Sequence, residues 1–153
     1  MRRNQPKSLV FLLFSVAVFA GNTGSKIEYI GGTVEQLQPG TDGRIHTTNA
    51  YSMLVTTNKV ALGVPYKRIN LIEYGQNASR RIAMAIVISP LFLLSKARKH
   101  FLTVGYTDDD GKQQAKVFRV DKGNVRATLA SLEARTGLKV QFQDDEARKA
   151  GKG

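Results

Sequence analysis

The 153-residue chain has no cysteine. That absence excludes disulfides, thiolate metal ligands, thiol catalysis and a lipid-modified cysteine at a processed N-terminus. Stability must come from packing alone. Histidine is nearly as scarce, with His46 and His100 the only two. A metal centre or catalytic base needs a second imidazole or carboxylates at ligand spacing, and neither histidine has such a companion nearby in sequence. Acids are few: 12 Asp and Glu stand against 23 Lys and Arg, for a formal charge of +11. A basic surface attracts anionic lipid, nucleic acid or acidic polymers without specifying which. No apolar run reaches the roughly 20 residues a helix needs to cross a hydrocarbon layer.

Hydrophobic residues at 42% and charged residues at 23% match globular averages and suit one folded domain. The opening Met1-Arg2-Arg3, a polar stretch to Lys7 and an apolar run from Leu9 to Phe19 have the layout of a signal peptide over residues 1–20. Val18 and Ala20 put small side chains at the minus three and minus one positions of a cut before Gly21. Without Arg2, Arg3 and Lys7, the remaining 20 bases against 12 acids leave +8. The expectation is an exported protein, periplasmic or secreted, for which nucleic acid is the least suitable anionic partner.

Beyond the leader, strand signals dominate. Ile27, Tyr29, Ile30, Val34 and Leu37 are strand-spaced, with a bulge or bend expected at Gly31-Gly32 and a turn at Pro39-Gly40. Tyr51 to Thr56 predicts another strand. In the next, Val60, Leu62, Val64 and Tyr66 form an apolar face opposite Ala61, Gly63 and Pro65. Arg68 to Tyr74 is apolar on both faces, as in a central or bulged strand. His100 to Tyr106 and Lys116 to Val120 flank Asp108-Asp109-Asp110-Gly111, whose Asp-Gly pair predicts an antiparallel hairpin. One helix follows, capped by Asp121 or Asn124, with Val125, Leu129 and Leu132 as its buried stripe, Ala130 and Ala134 widening it, and Gly137 as its stop. Leu138 to Phe142 suits a short strand, and residues 144–153 read as a disordered charged tail. The fold class expected is mainly β with one C-terminal α-helix.

The run VALGVPYKRINLIEY from Val60 to Tyr74, with Gly75, resembles the central element of bacterial pleckstrin-homology-like and GRAM-like domains. HFLTVGYTDDDGKQQAKVF and the helix to Gly137 resemble their closing hairpin and terminal helix. With Gly31-Gly32-Thr33 and Thr41-Asp42-Gly43, the chain also looks like a group of uncharacterised exported bacterial proteins of this plan. The resemblance covers residues 26–143 and implies a PH-like antiparallel barrel or sandwich. It names no ligand, because domains of this fold bind lipids, peptides and proteins alike. Val34 to Arg44 holds one basic residue, Arg44, so no phosphoinositide-binding pattern carries over.

The most unusual stretch is an apolar insertion. Ile82 to Ser95 contains no charge and includes Pro90, while Arg80, Arg81, Lys96, Arg98 and Lys99 flank it. Pro90 would break or kink a helix there. The functional expectation is a segment that enters one leaflet or a partner groove, with Ile86, Ile88, Leu91, Phe92 and Leu93 as apolar contacts and the five bases meeting anions. The alternative is that it packs on the sheet and the bases are solvated.

Other signals are weaker. The Asp-Asp-Asp-Gly run lacks the alternating carboxylates and distal Glu of a calcium loop, and reads as a solvated turn. Gly31-Gly32 and Gly21 to Gly24 lack phosphate-loop spacing. There is no Gly-x-Ser-x-Gly elbow. Ser95 and Ser131 read as loop and helix positions, and Asn77-Ala78-Ser79 is a glycosylation sequon relevant to a eukaryotic secretory route. The reading is a non-catalytic binding or scaffolding module of the cell envelope, without cofactor or metal, partnered by an anionic lipid surface or an envelope protein. One rival is an envelope protein that self-associates. Another is a small hydrolase whose site assembles only in three dimensions, with His46 or His100 near Asp42, Glu73 or a serine.

Overall fold

The structure, a computed structural model, describes residues 24–33, 37–76, 87–88 and 100–152. Within these residues the chain forms nine strands of one sheet and two helices. The strands are β1 (Ser25–Gly32), β2 (Thr41–His46), β3 (Ser52–Thr57), β4 (Ala61–Pro65), β5 (Ile69–Gly75), β6 (Val87–Ile88), β7 (Phe101–Thr107), β8 (Gln113–Val120) and β9 (Gln141–Phe142). Helix α1 spans Val125–Thr136 and α2 spans Asp145–Lys152. The spatial order is β4-β3-β2-β1-β8-β7-β5-β9, with β6 also on β1. All pairings are antiparallel except that of β9 with β5. The sheet is not closed into a barrel, so the barrel alternative is corrected.

The bulge expected in the first strand lies between Tyr29 and Gly31. Before it, Ser25 to Tyr29 pair with β2; beyond it, Gly31 and Gly32 pair with Ile88 and Val87. The bend lets one strand serve two neighbours in succession. Gly32 lacks a Cβ for a local reason: one there would stand 2.5 Å from the Tyr29 hydroxyl and 2.6 Å from the Ala115 carbonyl oxygen. The Asp-Gly hairpin joins β7 and β8, with Gly111 at φ 78° in the left-handed region that glycine tolerates. Asp108 fastens this turn, accepting hydrogen bonds from the Asp110 and Lys112 amides at 3.0 and 2.8 Å. Asp109 pairs with Arg68 across it.

Alternation along the strands sorts side chains onto two faces. The inner face carries Ile27, Tyr29, Ile45, Met53, Val55, Val64, Ile72, Tyr74, Leu102, Val104, Phe118 and Val120. Helix α1 covers it with Val125, Leu129 and Leu132. Ala130 and Ala134 are exposed; Thr128 and Ser131 flank the stripe instead, because their hydroxyls bond the sheet. The Thr128 hydroxyl lies 2.7 Å from that of Ser25, and the Ser131 hydroxyl 2.7 Å from that of Thr47. Neither Asp121 nor Asn124 makes a side-chain cap bond. A short 3-10 turn over Lys122–Asn124 leads into the helix, and Gly137 ends it at φ 74° as expected.

Ile30, Phe101, Thr103 and Val117 are also buried, yet lie outside the inner cluster. In register, Thr103 faces Val117 on the opposite side of the sheet from the Leu102 and Phe118 pair. The sheet therefore buries apolar surface on both faces near β1, β7 and β8.

The expected disordered tail is corrected. Residues 145–152 form α2, which buries Ala147 and Gly151. Asp144 caps it, its carboxylate accepting the Ala147 amide at 2.6 Å. Asp145 and Glu146 in the first turn, with Lys149 and Lys152 in the last, suit the helix dipole. Phe142 fixes the helix from outside: a Cβ on Gly151 would lie 2.5 Å from its ring. Arg148 and Lys152 stand 5.9 and 5.5 Å from the centre of that ring.

Candidate functional site

Register builds a row of charges across three strands. Glu28 on β1 faces Asp42 on β2 and Arg119 on β8. The Arg119 guanidinium pairs with the Glu28 carboxylate, which is largely buried. At the end of this row Lys26, Ile27, Glu28, Asp42, His100, Arg119, Val120, Asp121 and Lys122 line a cleft of about 320 Å³. Its three bases and three acids balance, and the backbone closes its floor through the Asp121 amide bonded to the Lys26 carbonyl at 3.1 Å.

His100 is fixed at one wall. Its carbonyl accepts the Val120 amide at 2.8 Å, and its ring Nδ1 is hydrogen-bonded to the Tyr74 hydroxyl. The two rings stack with 10° between their planes. Burial lowers the His100 pKa below its ordinary value; Lys122 lowers it further and Asp121 opposes. Burial also pushes the Tyr74 phenol up to about 12. The pair is therefore a neutral imidazole and a neutral phenol at pH 7. His100 and Asp42 share the cleft, but the hydrogen-bond partner of His100 is Tyr74, and no serine or threonine is among the described residues that line it. The geometry suits binding of a polar ligand.

His46 is placed elsewhere, between β2 and β3. Its Nε2 lies 2.9 Å from the Thr56 hydroxyl, and its ring occupies the space a Cβ on Gly24 would need. The Ser131 hydroxyl is hydrogen-bonded to that of Thr47. Glu73 accepts from the Gln143 amide at 2.9 Å. Among the described residues, no group of three or more His, Asp or Glu could hold a metal ion.

Of the residues singled out for the apolar insertion, Arg80, Arg81, Ile86, Leu91, Phe92, Leu93, Lys96, Arg98 and Lys99 lie outside the described residues, as do Ser95 and the sequon Asn77-Ala78-Ser79. Ile88 is described in its backbone, which pairs with Gly31. No described helix is long and apolar enough to cross a membrane.

Sequence reading missed Lys116. It alternates with Phe118 and Val120 along β8, which places it on the inner face, and it is only 2% exposed. Its cross-strand partners are Gly32 and Val104. The ammonium stands 5.5 Å from the centre of the Tyr106 ring, and no carboxylate among the described residues pairs with it. Burial lowers its pKa. The same burial raises the Tyr106 phenol, with Asp108 adding to it, and raises Tyr29 to about 12 with Tyr106 contributing. The period-two alternation was the available signal: a lysine two residues before Phe118 falls on the apolar side.

No family model matches the chain, and no curated protein matches it.

Proposed function

We propose that this protein is an exported, non-catalytic binding module of PH-like architecture that meets an anionic envelope surface through its basic-flanked apolar segment. The antiparallel meander, the β7–β8 hairpin and α1 across the inner face support the architectural part. The functional part rests on one observation. Val87 and Ile88 pair with Gly32 and Gly31, which ties the middle of the uncharged segment to the bend of β1.

Arg80 and Arg81 follow shortly after β5, and Lys99 adjoins His100 at the start of β7. The stretch of chain that carries the five bases leaves the sheet after Gly75, rejoins it at Val87–Ile88 and returns to it at Phe101. Each base near an anionic surface contributes about 1 kcal/mol, so five give a binding energy that salt weakens.

The test is flotation of residues 21–153 with neutral and anionic vesicles at low and high salt. Salt-sensitive flotation with anionic vesicles alone is the expected result. Unchanged flotation after replacing Arg80, Arg81, Lys96, Arg98 and Lys99 with Gln sinks the reading. No flotation, together with a mass that rises with concentration in light scattering, selects self-association through the same segment.

A further inference from the structure

Strand β4 ends the described sheet on one side, and antiparallel pairing alternates the direction of its backbone groups. The Thr57 amide donates to the Val60 carbonyl at 2.8 Å and the Tyr66 amide to the Tyr51 carbonyl at 3.0 Å, which sets the phase of the β3–β4 ladder. With Val55 opposite Leu62 and Met53 opposite Val64, the residues bonded to β3 are Val60, Leu62, Val64 and Tyr66. Ala61, Gly63 and Pro65 therefore turn their backbone groups away from β3. All three are exposed, and no described strand pairs with them on that side. Pro65 has no amide proton, so the donors of this edge are the Ala61 and Gly63 amides.

An open edge pairs with an extended chain unless something prevents it. Here the prevention is selective. From Arg44 to Ile72 the sequence contains no Asp or Glu, and Lys59 and Lys67 stand exposed beyond the two ends of β4. A second copy laid antiparallel along β4 about Gly63, the register of greatest overlap, sets Lys59 of each copy opposite Lys67 of the other. Like charges directly opposite one another oppose that pairing. A foreign strand with an acid at each end reverses the sign. Val60 and Leu62 are half-buried and pack against the core, so apolar side chains at alternate positions of the incoming strand extend the inner face over them. An aromatic anchor stands at the same edge: Tyr51 is 83% exposed, and the Asn49 side chain holds its turn by accepting the Tyr51 and Ser52 amides at 2.8 and 3.1 Å.

We propose that the free edge of β4 docks an extended acidic segment of another protein as an added strand. Its main chain bonds Ala61 and Gly63, its alternate apolar side chains cover Leu62, and its terminal carboxylates meet Lys59 and Lys67. The proposal is independent of the envelope reading, since it uses none of the five bases around the apolar segment and its test contains no lipid.

The test titrates residues 21–153 with the probe acetyl-Glu-Val-Thr-Val-Thr-Val-Thr-Val-Glu-amide, N-methylated on its valines. In the proposed register the valine amides face away from β4, so methylation there stops the probe pairing with itself and leaves the docking edge intact. Amide exchange and amide resonances are followed. The Ala61 and Gly63 amides are expected to exchange fast in the free protein, to become protected on saturation, and to shift together with Tyr51. Methylation on the threonines instead should weaken binding about tenfold or more, through lost main-chain hydrogen bonds. Lys59→Gln with Lys67→Gln should weaken it about fivefold, and replacing both glutamates of the probe with lysine should do the same. Gly63→Pro removes an outward donor without touching the β3 ladder, and should abolish the protection of Ala61; if that variant does not fold, the paired Gln variant and the two methylated probes decide. The proposal is overturned if Ala61 and Gly63 are already protected in the free protein, if light scattering shows them protected by a dimer of this chain, if both methylated probes bind alike, or if the probe leaves these amides unmoved.

Discussion

Lys116 shows how a single residue can oppose the stability of its own fold. Its burial places a charge where Val104 and Phe118 prefer hydrocarbon. Lys116→Met keeps the volume and removes the charge, so the variant should be more stable than wild type by about 1–2 kcal/mol at pH 7, as read by denaturant unfolding. The pH dependence has a definite sign. The folded pKa is lowered, so the unfolded chain binds more protons between the folded value and the ordinary 10.5, and stability rises with pH in that window. The advantage of Lys116→Met should therefore be complete below the folded pKa and shrink as pH approaches 10.5. An advantage that grows with pH there would contradict the burial account. Lys116 was legible in sequence from strand alternation alone. The His100 and Tyr74 pair was not, because 26 residues separate them and only the β5–β7 register brings them together.

Elements repeat the same division between local and distant causes. Helix α1 was readable because its stripe, its glycine stop and its length are all local signals. Leu132 is fully buried on it, and Leu132→Ala should cost about 3 kcal/mol by unfolding, the usual consequence of a cavity in a closed core. The stripe's width was misread: alanines are apolar, yet Thr128 and Ser131 take the flanking positions because Ser25 and Thr47 wait there with hydroxyls. Helix α2 was missed by counting charges without noting their order. Asp144, Asp145 and Glu146 ahead of Arg148, Lys149 and Lys152 form a cap and a dipole-matched sequence, and Phe142 provides the surface that eight residues need for docking. Asp144→Ala should cost that helix about 1 kcal/mol, seen as faster amide exchange over 145–152 with the sheet unaffected. Equal exchange in both proteins would remove the cap from the account.

On the scale of the molecule, the strand sequence was legible and its closure was not. Hairpin turns at Asp110-Gly111 and the alternation of Val60 to Tyr66 are written in neighbouring residues. Whether the last strand meets the first depends on twist and bulges accumulated over the whole sheet. Here β1 occupies the middle, paired with β2 and β8 on either side and with β6 beyond its bend. That central place puts the apolar segment's midpoint against the strand that organises both halves of the sheet. The full chain has a formal charge of +11, and the proposed membrane contact rests on five bases gathered around one uncharged run in the sequence. The measurement that tests this most directly is flotation of residues 21–153 against anionic and neutral vesicles, beside the variant with Arg80, Arg81, Lys96, Arg98 and Lys99 replaced by Gln. The account predicts binding to anionic vesicles at low salt that is lost at high salt and in the variant; equal behaviour of the two proteins under every condition would contradict it.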